Sequence, residues 1–280
     1  MLASILKEAG YDLPFTILEI GARPMDEEPF HKLLKEFPSS RILAFEVDPV
    51  LCEELNRKDS EGVLFYPYAL GRTEEERIFY DTEHPMCSSL YKPNEALINI
   101  FQNLEVAKLK QTFTVQTISM DYFADINRIG PVDFIKIDIQ GAELDVFEGG
   151  ENVLKDVLAV VSEVEFVPVY ENQPLFSDVS DFLQKRAFIF HKFLGLAGRT
   201  VRPIVFMNDL NYPSQHLWSD AVFVRDFLKP WRLNNSQLLK TALLMHCYGS
   251  RDMAHFMVQQ FDLRNNSCIA DNYLELLMGG

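Results

Sequence analysis

Three segments of this 280-residue chain set polar residues at the end of an apolar run. In Leu18-Glu19-Ile20-Gly21-Ala22-Arg23, a glycine directly after the run lets the backbone approach a ligand closely; an ordinary strand-to-helix turn reads the same way. In Ala44-Phe45-Glu46-Val47-Asp48-Pro49, the acid stands 25 residues after Gly21. A carboxylate there can accept hydrogen bonds from two adjacent ribose hydroxyls, and an exposed loop acid is the plain alternative. Glycine turn and acid at this spacing together point to an adenosine-containing cofactor. The third segment runs Asp133-Phe134-Ile135-Lys136-Ile137-Asp138-Ile139-Gln140-Gly141-Ala142-Glu143. Glu143 suits a helix N-terminus on dipole grounds alone. Asp138 is harder to explain by fold, because an acid closing a central strand points into a ligand crevice.

The elements that must carry these residues follow from hydrophobic periodicity. Apolar runs at 15–21, 41–46, 62–68, 77–80, 112–118, 132–138, 157–166, 187–194, 201–207 and 220–224 read as strands. Segments 29–37, 49–57, 142–148 and 176–185 read as helices, with Pro49 at the start of one and Gly149-Gly150 closing another. Ser119 or Asp121 suits the cap of a further short helix. Strand–helix alternation predicts an α/β fold with a mostly parallel sheet and helices on both faces. Ligands of such sheets bind beyond the carboxyl ends of the strands, where strand order reverses. The residues to inspect are therefore Glu19 to Arg23, Glu46 to Asp48, Ala69 to Gly71, Asp138 to Glu143, and Glu163 to Glu165.

Composition narrows the partners. The chain has 26 Lys and Arg against 41 Asp and Glu, a net charge of −15. Such a surface repels phosphate backbones and anionic headgroups, so nucleic acid and membrane surfaces are disfavoured as partners. Residues 231–280 hold four basic and four acidic residues, so the whole excess lies in 1–230. Leu238, Leu239, Ala242, Leu243 and His246 share one helical face, and Met253, Phe256, Met257 and Phe261 another. This divides the chain into a domain at 1–230 and a helical extension at 231–280, packed on the sheet or forming a homo-oligomer contact. Cys52, Cys87, Cys247 and Cys268 form no CxxC pair, which suits reduced thiols in a cytoplasmic protein better than a zinc site. The start has no signal-peptide pattern, and no apolar run approaches the roughly 18 residues of a membrane span. Six histidines share no metal-ligand spacing. His31 has no obvious partner, and His191 stands out for its place in a strand near the sheet's end. Tyr170, Asn172 and Gln173 either bind a sugar or form a turn before Pro174.

The segment DFIKIDIQGAELDVFEGG resembles the signature of the FkbM family of methyltransferases. ILEIGAR, LAFEVDP, YPYALG, the paired Ser88 and Ser89 of CSSLYKPN, TVQTISMDYF and SEVEFVPVYENQPLFSDVSDFL resemble other family pieces in the same order, so the likeness covers residues 15–226. It implies a Rossmann-like class I methyltransferase fold: a seven-stranded, mostly parallel sheet with an antiparallel last strand, binding S-adenosylmethionine. On this resemblance Glu19 and Gly21, with Ala22 and Arg23 beside them, lie near the methionine part of the cofactor. Glu46 holds the ribose hydroxyls, Val47 flanks the adenine, and Ala69 and Leu70 line the adenine side. Asp138 sits near the sulfonium and the acceptor hydroxyl, and Glu163 faces the acceptor. The first motif departs from the family in continuing with Arg23-Pro24-Met25 and the acids Asp26, Glu27 and Glu28, which would repel the cofactor's carboxylate; Arg23 is placed to offset them. Gln140 stands where an acid is common.

The implied reaction is methyl transfer to a hydroxyl of a sugar or secondary metabolite, the acceptor being a small molecule or a glycan. A hydroxyl gains from a base that takes its proton, and Asp138 and Glu163 are the candidates. Two acids facing one crevice repel, raising the pKa of one. They could instead hold magnesium or calcium, but no metal ligands are assigned. Glu165, two residues along and on the same strand face, could replace or support Glu163. A non-catalytic binding or assembly protein on the same fold is the main alternative. A nicotinamide-dependent dehydrogenase is another, against which the missing glycine fingerprint counts.

Overall fold

The computed structural model describes residues 1–22, 28–58 and 61–279. In chain order its first elements are α1 (Leu2–Glu8), β1 (Thr16–Ile20), α2 (Lys32–Glu36), β2 (Arg41–Phe45), α3 (Pro49–Arg57), β3 (Val63–Tyr66), β4 (Ala69–Gly71) and β5 (Glu75–Thr82). Next come α4 (Glu95–Ile100), β6 (Leu109–Ser119), α5 (Met120–Ile126), β7 (Phe134–Ile137), α6 (Glu143–Glu148), β8 (Ala159–Glu165) and α7 (Phe176–Lys185). The chain closes with β9 (Phe188–Phe193), β10 (Ala197–Arg199), β11 (Gln215–Arg225), α8 (Asn235–Cys247), α9 (Arg251–Asn265) and α10 (Ile269–Met278).

The main sheet runs β3-β2-β1-β7-β8-β11, and both β9 and β10 pair with β11. Pairs from β3 through β8 are parallel. β11 runs antiparallel to β8 and to both of its other neighbours. Strand order reverses between β1 and β7, so the crevice expected for a ligand opens at Gly21 and Asp138. The central strands are buried on both faces, which is why they read as continuous apolar runs. Alternate residues serve two cores. Ile17, Phe134 and Val161 pack on one face with α1, α8 and α9; Leu18, Ile135 and Val160 pack on the other with α5, α6 and α7.

The C-terminal helices belong to the first of these cores. Leu238, Leu239, Ala242, Leu243, Met257 and Phe261 are buried in it. Lys240 Nζ donates to both carboxylate oxygens of Asp133 at 2.8 Å, tying α8 to the start of β7. His191 Nε2 lies 2.7 Å from Ser250 Oγ, and Lys192 Nζ donates to Tyr248 O at 2.6 Å. His191 thus fastens β9 to the turn between α8 and α9.

Two expectations about strands change. The runs at 77–80 and 112–118 do become β5 and β6, but they leave the main sheet and form a small one with β4, in the order β4-β6-β5. The run at 201–207 forms no strand; it has isolated bridges at Val201 and Phe206, and Met207 and Asn208 adopt left-handed backbone. Pro203 offers no N–H to a ladder, and β11 already pairs with β8, β9 and β10. Its apolar side chains, Ile204, Phe206 and Met207 among them, are left exposed. No helix among the described residues is long and apolar enough to cross a membrane.

Candidate active site

The site is built where β1 and β7 end. Gly21 has φ of +80°, and a Cβ there would lie 1.9 Å from the carbonyl oxygen of Asp138. The glycine is therefore required by two backbones in contact at the reversal point, before any ligand is considered. Asp138 N–H donates to Ile20 O at 2.9 Å and locks the two ends together. At the end of β2, Asp48 caps α3 by accepting from Val50 N–H at 2.9 Å and Leu51 N–H at 3.3 Å. Glu46 is held just ahead of this cap, its Oε1 accepting from Asp48 N–H at 3.0 Å.

Gly21, Glu46, Val47, Ala69, Leu70 and Asp138 line one pocket that encloses about 700 Å³ including its open mouth. The facing wall comes from outside the main sheet, with Phe79 on β5 and Pro85, Met86, Ser88 and Leu90 on the segment that follows, while Ile20 and Phe45 add to the main-sheet side. Ala22 is buried, its N–H donating to Phe45 O at 3.2 Å. Glu19 faces His31 instead of this pocket, with 3.2 Å between Oε2 and Nε2, so His31 does have a partner. Arg23, Asp26 and Glu27 lie outside the described residues. Burial holds the Glu28 carboxyl above its usual range; Lys136 opposes this, while Glu19 and Asp220 add to it.

The loop after β7 is fixed by side chains. Gln140 and Gly141 have φ of +61° and +102°. Glu143 accepts from Ile139 N–H and Gly141 N–H, both at 2.9 Å. Burial pushes its carboxyl up to about 7 against the pull of those donors. Ser89, one of the paired serines, donates to Gln140 O at 2.7 Å. Held this way, the Gln140 amide donates to Asp138 Oδ1 at 2.8 Å and to Glu163 Oε2, and its Oε1 accepts from Tyr170 OH at 3.0 Å. Asp138 and Glu163 are thus joined through one neutral side chain, the reverse of the acid common in the family at that position. Burial, then the Asp138 charge, raises the Glu163 carboxyl well above its usual range, and burial does the same to Glu165. Glu163 therefore holds a proton more readily than an ordinary carboxyl does.

Lys136 balances this acidity. It is almost fully buried one turn of the pleat before Asp138 and donates to Asp220 Oδ1 at 2.7 Å. Burial would lower its pKa, but Asp138, Asp220 and Glu163 together raise it. Tyr170 and Gln173 are turned inward: Tyr170 OH donates to Cys87 O at 2.8 Å, and Gln173 Oε1 accepts from Tyr170 N–H at 2.6 Å. They form a turn; only Asn172 of the three is exposed. Among the described residues, no group of three or more His, Cys, Asp or Glu is arranged to hold a metal ion.

The small sheet is fastened by buried Asp145 on α6. It accepts from Arg72 Nη2 at 3.0 Å, Arg77 Nη1 at 3.3 Å and Tyr91 OH at 3.1 Å. That network holds β5, and with it Phe79, against the pocket. Asp145, Lys136, Phe79 and Met86 were not singled out by sequence. A lone lysine inside the apolar run Phe134–Ile137 is the one signal that pointed to a buried charge partner.

A parallel sheet reversed at β1 and β7, an antiparallel β11 inserted beside β8, and strand-end carboxylates around the reversal point define a class I methyltransferase architecture. A family model described as the methyltransferase FkbM domain matches residues 19–190. The chain belongs to that family. A curated relative, "Methyltransferase 1" of Beauveria bassiana (strain ARSEF 2860), is 26% identical over 165 residues, covering 55% of this chain and 65% of that protein. The match therefore spans just under two thirds of the relative's length. Among solved structures, a precorrin-6y C5,15-methyltransferase from Geobacter metallireducens GS-15 is similar at 10% identity and a TM-score of 0.35, over 80% of this chain and 88% of that one. LepI in complex with SAM is similar at 9% identity and a TM-score of 0.32, over 80% of this chain and 46% of that one. The family rests on the domain match; these two likenesses add nothing to it.

Proposed function

We propose that the protein is an S-adenosylmethionine-dependent O-methyltransferase acting on a hydroxyl of a small molecule. The observation that carries this reading is the convergence of Gly21, Glu46, Val47, Ala69, Leu70 and Asp138 on one pocket. Their chemistry suits the cofactor. Glu46 offers a carboxylate for the paired ribose hydroxyls, and Val47 and Leu70 give apolar walls for the base. The acids around Asp138 suit a positive charge near the sulfur. When bound, S-adenosylmethionine supplies a methyl group on a cationic sulfur, and its transfer makes a C–O bond as the C–S bond breaks.

The chain's own contribution is alignment and proton handling. Asp138 is the carboxylate placed to accept the hydroxyl proton. Glu163, which retains its proton more readily, and the Gln140 amide both donate toward Asp138 and hold its orientation. Lys136 supplies a positive charge close to Asp138. The test is calorimetric titration with S-adenosylhomocysteine. The wild-type chain is expected to bind, and Glu46→Ala to weaken binding about 10- to 100-fold, the worth of hydrogen bonds to a charged group. No binding at millimolar ligand, or equal affinity in a folded Glu46→Ala, would sink the reading.

A further inference from the structure

A separate cavity of about 330 Å³ opens between α1, α2, α8 and the start of α9. It shares no lining residue with the pocket at Gly21 and Asp138. Its volume falls within the roughly 300–1,000 Å³ of small-molecule sites. Leu33 and Leu243, both buried, give it an apolar wall, and Lys32 and Arg251, both exposed, give it charge.

The charge in this cavity is positive and unanswered. Among the described residues, no carboxylate lies within 4.0 Å of the Lys32 or Arg251 side-chain nitrogens. Glu36, the acid in the lining, is already paired with Lys7 of α1. His246 senses the same field. Its Nδ1 lies 2.7 Å from Tyr273 OH. Burial, the Met1 amino group, Arg251 and Lys32 all hold its ring below the usual imidazole range, so every charge among these causes is positive. On a chain of net charge −15, a cavity with this sign stands against the rest of the surface. Cations that act on one ring also repel one another, and an anion seated between them relieves that repulsion.

We propose that this cavity binds a small phosphate monoester, with its phosphate between Lys32 and Arg251 and its organic part against Leu33 and Leu243. A dianion matches two cations, where a carboxylate matches one. Arg brings a planar fork of donors and Lys a compact point charge, and both are established phosphate binders. Inorganic phosphate alone would leave the apolar wall unused. Nucleic acid or an anionic bilayer would meet the acidic remainder of the surface. Lys32 is on α2 and Arg251 on α9, so a bound phosphate ties the sheet domain to the C-terminal helices. The site does not depend on the methyl-transfer reading.

Calorimetry on the full chain at low salt, with phenyl phosphate, inorganic phosphate, benzoate and phenol, tests the assignment. Phenyl phosphate is expected to bind about tenfold or more tightly than inorganic phosphate, through its ring, and than benzoate, through its second charge. Arg251→Gln and Lys32→Gln should each weaken it about tenfold. Both side chains are exposed, so both variants should melt as the wild type does without ligand. Phenyl phosphate should raise the wild-type melting temperature and leave that of the double variant unchanged. By NMR, the His246 ring should titrate at higher pH with phenyl phosphate bound, because an anion offsets the cations around it. Benzoate or phenol binding as tightly as phenyl phosphate, unchanged affinity in the double variant, competition with S-adenosylhomocysteine, or no binding of phenyl phosphate at millimolar concentration would overturn the proposal. Binding to phosphatidic acid vesicles with none of phenyl phosphate would assign the cations to a lipid surface and overturn it too. Failure of S-adenosylhomocysteine to bind, with phenyl phosphate still held through Arg251, would instead sink the methyl-transfer reading and leave this site standing.

Discussion

The two walls of the pocket at the reversal point are built by different means. Gly21, Glu46 and Asp138 each follow directly on the last residues of a main-sheet strand, so backbone pairing places them. Phe79, Pro85, Met86 and Leu90 come from the small sheet and the segment after it, which side chains on Asp145 hold down. The first wall can move only if the sheet comes apart. The second is held by side-chain contacts, three of them to one carboxylate and another from Ser89 to Gln140 O, so it can loosen while the sheet stays whole. A site made this way has a fixed frame for the cofactor and a separately fastened cover.

The contrast breaks first at Gly21. Gly21→Ala would put a methyl group 1.9 Å from Asp138 O in a backbone region that side chains disfavour. The expected cost is about 3 kcal/mol or more, read in denaturant unfolding, with loss of cooperative folding as the extreme. A mild effect would mean that the strand ends are not in the contact described. Asp145→Ala is next. It leaves Arg77 and Tyr91 without their buried partner and should cost about 2–3 kcal/mol, less than a fully buried pair because Arg72 is half exposed. Hydrogen exchange should rise across 75–91 and stay slow in β1 and β7. A uniform rise would show the cover to be part of the same cooperative unit.

The smallest effect is a pH dependence. Glu143 titrates at about 7 in the folded chain against 4.5 for an ordinary glutamate, and Glu163 and Glu165 are raised too. A carboxyl raised on folding contributes stability that is full below the unfolded pKa and is lost as pH rises through the folded one. For Glu143 that window runs from about 4.5 to about 7. Glu163→Gln removes one such group. Its melting temperature relative to wild type should therefore shift upward as pH rises above the ordinary carboxylate range, where 1 kcal/mol is worth about 2 °C. A constant or shrinking difference would contradict the raised carboxyl.

What sequence could and could not show divides along the same line. α3 and α7 fall where proline, capping and periodicity place them, and the core strands were visible as apolar runs. The strand-end acids were visible because Glu46 and Asp138 directly follow their strands and Glu163 and Glu165 are among the last residues of β8. The cover was not, because β5 and β6 show the alternation of any strand and nothing local says which sheet they join. Segment 201–207 misled for a related reason: its apolar residues read as a strand, but Pro203 lacks a ladder N–H and Met207 and Asn208 turn into left-handed backbone. The Glu19–His31 contact and the Gln140 bridge are tertiary meetings between residues whose local sequence carries no sign of each other.

The most direct measurement of the central claim is a crystal structure with S-adenosylhomocysteine. The ribose hydroxyls are expected on Glu46, the base between Val47 and Leu70, and the sulfur on the side of Asp138 that faces Gln140. Ligand bound elsewhere, or in this pocket with the ribose away from Glu46, would contradict it.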